Sequence, residues 1–142
     1  MISFSTCNIK MPVIQRSLVR EWVRQVAASY GCTENGIGFI FCDDEKILQV
    51  NRQFLGHDYY TDIITFDYSS GNKISGELYI SLDTVKSNSL KYATSFKNEL
   101  DRVMIHGVLH LCGINDKRPG ERAIMEAAEN RSLVLLDNLK KK

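Results

Sequence analysis

Helix-like and strand-like segments follow one another along this chain without strict alternation, which predicts an α+β fold: a mixed β-sheet of about four strands covered by helices. Two features sharpen that prediction. Short runs rich in β-branched and aromatic residues are bounded by Gly, Asn and Ser, as strands and hairpins require. One long segment is apolar nearly all round, as a helix buried at the centre of a domain must be. With 142 residues and 44% hydrophobic content, the chain is expected to form a single domain over 1–142.

Ile2 to Ile9 is read as the opening strand. From Ile14, the residues Leu18, Val19, Trp22, Val23, Val26 and Tyr30 recur at helical spacing until Gly31, predicting an amphipathic helix. Arg16, Arg20 and Arg24 step along a different flank of it; such a stripe can touch phosphates, but a solvated face is the commoner use. Gly36 to Cys42 reads as a short buried strand. Asp43 or Asp44 can cap a second helix carrying Ile47, Leu48, Val50, Asn51 and Phe54, with Gly56 as its stop. Ile63 to Tyr68 and Ile74 to Ser81 read as two strands joined across Ser69-Ser70-Gly71-Asn72, and the sheet is expected to sit on one layer of helices. A short helix from about Leu82 to Ser89 and a longer one from about Phe96 to Leu111 follow. Pro119 opens a last helix through Ala123, Met125, Ala128 and Leu133 to Leu136, ahead of a frayed Lys140-Lys141-Lys142 tail. Both prolines, Pro12 and Pro119, thus fall where helices are expected to begin.

The formal net charge of +1 argues neither for nor against an anionic partner, so any basic surface must be local. The amino terminus lacks the charged-then-apolar order of a signal peptide, and no apolar run is long enough to span a bilayer. A soluble, intracellular protein with no membrane partner is expected, in the cytoplasm. Cys7, Cys32, Cys42 and Cys112 include no C-x-x-C pair, which fits reduced, mostly buried thiols better than a disulfide framework or a zinc ribbon. Cys112, two residues after His110, falls on nearly the opposite side of a helix and is read as core.

The chemistry concentrates between Ile105 and Asp116, which hold two of only three histidines. His106 and His110 lie a little over one helical turn apart, so a helix stacks both imidazoles on one face, where their nitrogens can converge on a cation. Gly113 suits the left-handed residue that ends a helix, letting the chain swing Asp116 back as a third ligand. Two histidines, one carboxylate and an open position for water describe a catalytic zinc site rather than a structural one. Two core histidines sharing a helix by chance is the competing explanation. In the H-E-x-x-H zinc proteases the residue after the first histidine is a glutamate general base. Gly107 stands there in this chain, which counts against peptide hydrolysis and leaves a phosphodiester as the more credible substrate. Glycine beside His106 also permits close approach of another element, and helix-to-strand packing alone would explain it equally well.

The stretch from His106 to Gly113 resembles the signature of the YbeY family, whose pattern reads H-G-x-L-H-L-x-G-Y-D-H. Tyr60 to Phe66 is similar to that family's P-T-D-V-L-S-F segment, Gly76 to Ser81 to its G-D-I-x-I-S strand, and Asn51 to the asparagine that precedes both. The resemblance implies a zincin-like α+β fold with the metal site on a central buried helix and one catalytic zinc per chain. It also implies a single-strand-specific endoribonuclease acting in late 3′-end maturation of small-subunit (16S) ribosomal RNA and in ribosome quality control. Ribosomal RNA and the small ribosomal subunit are the implied partners.

Two positions depart from that pattern. The family's third metal-binding histidine is Asp116 here, and a carboxylate oxygen binds zinc at about the same distance as imidazole. A negative ligand cancels one unit of the cation's charge, so bound water should be less acidified than in an all-histidine site. Harder ions such as manganese should compete better, with nickel another possible substitute. An arginine that the family usually places four residues after the asparagine is Leu55 here; Arg52 is three residues earlier, and the role is not carried over to it.

Other residues admit two readings. Thr61 and Asp62 match a family segment, yet such residues more commonly cap or turn a loop. His57 is either a fourth ligand or a solvated loop residue, the second being commoner. Glu77 either contacts the site or faces solvent from its strand. Lys117, Arg118 and Arg122 would flank the metal if the loop folds back, which makes Lys117 and Arg118 the preferred RNA-phosphate contacts; a plain polar loop is the alternative. The reading is a zinc-dependent hydrolase in which His106, His110 and Asp116 hold the metal and metal-bound water attacks a phosphodiester, with no side chain assigned as general base. Its rivals are a non-catalytic ribosome-assembly factor with a structural metal, and a metal hydrolase of a small molecule or peptide.

Overall fold

Strands β1 (Ile2–Cys7), β2 (Thr33–Cys42), β3 (Ile63–Asp67) and β4 (Lys73–Ser81) form a sheet in the order β1-β2-β4-β3 in the computed structural model, which describes residues 1–142. β1 and β2 run parallel, as do β2 and β4, while β3 pairs antiparallel with β4. The sheet is therefore mixed, as expected. Five α-helices accompany it: α1 (Arg16–Ser29), α2 (Asp44–Val50), α3 (Leu82–Lys91), α4 (Phe96–Leu111) and α5 (Glu121–Lys140). No helix is long and apolar enough to cross a membrane.

Alternation along the strands decides what each face meets. Ile37, Phe39 and Phe41 of β2 lie beside Gly76, Leu78 and Ile80 of β4, and all face the main core. There they meet Val19, Trp22 and Val26 of α1, the apolar side of α4, and Met125, Ala128 and Leu136 of α5. The opposite face carries Gly38, Ile40, Glu77 and Tyr79. The expected single layer of helices is thus right for α1, α3, α4 and α5, but α2 departs from it. Its Ile47 and Val50 pack with Cys42 and Ile64 on the second face, because the chain leaving β2 must pass beneath the sheet to reach the far edge strand β3.

Boundaries shifted where backbone geometry intervened. β2 begins at Thr33 rather than Gly36, through a bulge between Glu34 and Ile37 that uses the left-handed φ of +105° at Gly36. Pro12 does not open α1, whose N-cap is Gln15, because residues 8–15 are spent carrying the chain from the end of β1 back to the helix. Pro119 stands just ahead of the Gly120 N-cap of α5, and that helix continues through Lys140. Asp43 does cap α2, accepting from the backbone of Lys46. Beyond Val50 the helix widens into a π-turn over Asn51–Leu55, which Gly56 ends with a left-handed φ of +67°.

The arginine stripe of α1 has a structural use. The guanidinium groups of Arg16 and Arg20 lie 5.9 and 5.4 Å from the ring centre of Phe4, Arg20 donates to the carbonyl of Ile2, and Arg24 bonds Glu34. Arg16 and Arg24 are exposed, as a solvated face requires, and the stripe also ties α1 to β1 through Phe4 and Ile2 and to β2 through Glu34.

Candidate metal centre

α4 carries both histidines of the pair, because its Ser95 N-cap and unbroken apolar pattern hold a helix through Leu111. Gly107, between them, is pressed onto the sheet. A Cβ there would lie 2.7 Å from the Ile63 side chain and 3.0 Å from that of Leu78, so the position after the first histidine has no room for a glutamate. Packing explains this glycine, and it removes the protease-type base on steric grounds.

The reversal after α4 has the expected form. Gly113 adopts a φ of +98°, the amide of Ile114 reaches back to the carbonyl of Leu109, and the Ile114 side chain packs on the core. That turn returns Asp116 to the histidines. Its Oδ2 lies 3.3 Å from Nε2 of His106 and 3.4 Å from Nε2 of His110, and one donor atom from each residue falls within 4.8 Å of the others. Ligands about 2.0–2.1 Å from a tetrahedral zinc are roughly 3.3–3.4 Å apart, so the separations of Asp116 from both imidazoles suit such an ion.

Behind His106 stands a residue the sequence reading missed. Nδ1 of His106 lies 2.6 Å from Oε2 of Glu129 on α5, and Glu129 accepts through Oε1 from Arg102, which also donates to Asn130. The carboxylate fixes the ring so that Nδ1 donates and Nε2 points to the site with its lone pair free, the usual support of a metal-bound imidazole. Burial pushes the Glu129 carboxyl up, but the bonds from His106 and Arg102 outweigh it and hold Glu129 below the usual range. Burial acts to lower His106, yet Glu129, Asp116 and Asp62 together raise it. His110, without such a partner, is lowered by burial and by the charge of His106. A signal for Glu129 did exist: it interrupts the apolar stripe of α5 between Met125, Ala128 and Leu136, where a carboxylate has no reason to sit unless it is partnered.

In Glu129→Gln, metal affinity is expected to fall roughly 10- to 100-fold with the fold retained, measured by competition with a chromogenic chelator. The pH dependence of the metal-free chain should change with it. Glu129, held below its ordinary 4.5, contributes stability above that value which is lost as pH falls through its lowered pKa. His106, held above its ordinary 6.5, contributes fully below 6.5 and loses that contribution as pH rises through its raised pKa. The pair therefore stabilises most between pH 4.5 and 6.5, and the variant should flatten the melting temperature across that window. Unchanged metal affinity and an unchanged profile would rule out the orienting role.

The remaining candidates separate clearly. Lys117 is exposed and its charge reaches His110, while Arg118 and Arg122 are exposed at the start of α5. Asp62 comes to the site: burial pushes its carboxyl up and the charge of His106 draws it down, and its carbonyl accepts from Ser81. Thr61 makes only long bonds, 3.5 Å to Asp62 and 3.4 Å to the carbonyl of Ile63. Glu77 lies on the sheet face opposite α4 and accepts from Tyr68, so it turns away from the histidines. His57 stays exposed on its loop, stacked on Tyr59. Leu55 is exposed at the end of the π-turn, and Arg52 forms an ion pair with Asp58. Asn51 is buried and donates to the carbonyl of Tyr59, which fixes the loop leading to β3. Cys112 packs against the core beside Cys32, and burial pushes its thiol up to about 12.

Two imidazoles and one carboxylate on a buried helix and its return loop form a group that could hold a metal ion, a donor set consistent with a metal-dependent hydrolase. The model of the family described as Endoribonuclease YbeY matches residues 2–137, and the chain belongs to that family. It is 60% identical over 136 residues to a protein named Endoribonuclease YbeY from Phocaeicola vulgatus, covering 96% of this chain and 99% of that one. The protein of the same name from Bacteroides fragilis is 60% identical over 134 residues, covering 94% and 96%. A Thermotoga maritima protein of known solution structure superposes with a TM-score of 0.66 at 24% identity, over 96% of this chain and 89% of that one, and shares its fold.

Proposed function

We propose that this chain is a metal-dependent endoribonuclease of single-stranded RNA, in which His106, His110 and Asp116 hold one zinc ion. The observation that carries this reading is the convergence of three donor atoms within 4.8 Å of one another, with Asp116 at 3.3 and 3.4 Å from the two imidazoles, in a chain of an endoribonuclease family. When bound, the metal supplies Lewis acidity, making a water nucleophilic near neutral pH and polarising the phosphoryl oxygen. Glu129 orients His106, and Lys117 stands ready to take a phosphate of the RNA, with Arg118 and Arg122 beyond it. The target we assign is the 3′ end of small-subunit ribosomal RNA, processed on the small subunit in the cytoplasm by a single domain. One observation favours the assembly-factor alternative: the position of the family arginine is Leu55, and neighbouring Arg52 is engaged by Asp58.

The test uses purified protein and a single-stranded RNA carrying the small-subunit 3′-end sequence, with its duplex form as comparison. About one ion per chain and cleavage of the single strand alone are expected, with activity lost on chelation and restored by zinc or manganese. Cleavage that survives complete metal removal would overturn the assignment.

A further inference from the structure

The loop between Gly56 and Asp62 presents aromatic rings that the fold does not use. Its backbone is well anchored: the amide of His57 donates to the carbonyl of Asn51 at 3.1 Å, and the Asn51 side chain donates to the carbonyl of Tyr59 at 2.8 Å. Yet Tyr59 is 54% exposed and Tyr60 59% exposed. The Tyr59 ring is also fixed in orientation, stacked on His57 at a centroid distance of 5.1 Å and an interplanar angle of 20°, with its hydroxyl 2.9 Å from His57 Nδ1. A tyrosine held rigid and left in water gains little from folding, and such a ring is suited to receive a flat partner at low entropic cost.

Its position and charge say which partner. Two residues after Tyr60 comes Asp62, whose charge is felt at His106, and next Ile63, whose side chain lies against Gly107. Tyr60 and Tyr59 lie two and three residues from Asp62, at most about 7 and 11 Å of extended chain, so the rings stand near the rim of the metal centre. Near the rings the loop offers no free cation, since Arg52 is occupied by Asp58 and position 55 is leucine. This rim can hold RNA through base faces but not through phosphates.

Resting on the endoribonuclease reading above, we propose that Tyr59 and Tyr60 form a stacking platform for an unpaired base next to the scissile phosphate. Bases within a duplex cannot splay onto the rings, so the platform contributes to preference for single strands. Phosphate contact falls instead to Lys117, whose charge reaches His110.

The test mixes zinc-loaded protein with a single-stranded oligoribonucleotide containing 2-aminopurine, whose fluorescence drops on stacking before any cleavage, and then follows cleavage. Tyr59→Ala and Tyr60→Ala should each lose quenching and raise KM roughly 5- to 100-fold, with kcat little changed, while Tyr59→Phe and Tyr60→Phe keep both. Wild-type quenching and KM in both alanine variants, or no quenching by the wild-type chain, overturns the platform. Quenching by a wild-type chain that cleaves nothing supports the platform and overturns the endoribonuclease reading alone.

Discussion

A His110→Ala chain is expected to lose its bound metal and its RNA cleavage together while remaining folded. The imidazole it removes is half-buried and packs edge-to-face on the His106 ring at 4.7 Å rather than in the hydrophobic core, so the core packing of α4 does not depend on it. Two donors remain, one of them anionic, and two cannot close a tetrahedral site against water. Residues that act as a unit fail as a unit, so cleavage should fall roughly 10³-fold or more rather than by a modest factor. Metal content, cleavage of single-stranded RNA and thermal unfolding measured on the same sample provide the check. In cells carrying the variant, unprocessed 3′ ends of small-subunit ribosomal RNA should accumulate with the protein still present. Normal ends in those cells would favour the assembly-factor alternative over catalysis.

Gly76→Ala should be the most damaging small substitution for the fold. A Cβ at Gly76 would come within 3.0 Å of the Leu111 side chain and far inside contact distance of the carbonyl oxygen of Phe66, a backbone atom of the paired strand. A side chain could swing aside, but this carbonyl belongs to the β3–β4 ladder, where Gly76 lies opposite Asp67. Relief requires β3 to shift, at a cost of about 3 kcal/mol, which lowers the melting temperature of a chain this size by roughly 10 °C. Gly107→Ala meets only the ends of the Ile63 and Leu78 side chains, and should cost less, about 1 kcal/mol. A reversed order in the two melting temperatures would contradict this account. Because β3 leads directly from the loop bearing Tyr59 and Asp62, Gly76→Ala should also loosen the rim of the metal centre.

What could be read without the fold follows sequence distance. The helix through His106 and His110, its stop at Gly113 and the return of Asp116 involve eleven consecutive residues, so helical periodicity and one left-handed glycine suffice. The mixed sheet, the hairpin at Ser69 to Asn72 and the span of α4 were legible for the same reason. Residues 8–15 and the bulge at Gly36 were misjudged by a few positions, because they depend on where the chain must travel.

Glu129 lies 23 residues from His106 and Arg102 lies 27 from Glu129, and nothing local ties them. Only the packing of α5 against α4 brings them together. Likewise, alternation in β4 places Glu77 and Leu78 on opposite faces, but which face meets α4 is settled when the sheet closes over its core. The sequence by itself determined the donor set and the fold class, since both rest on periodicities of a few residues. Only the tertiary structure decided what stands behind His106 and why position 107 has no room for a glutamate, because those follow from the burial of surfaces far apart in the chain.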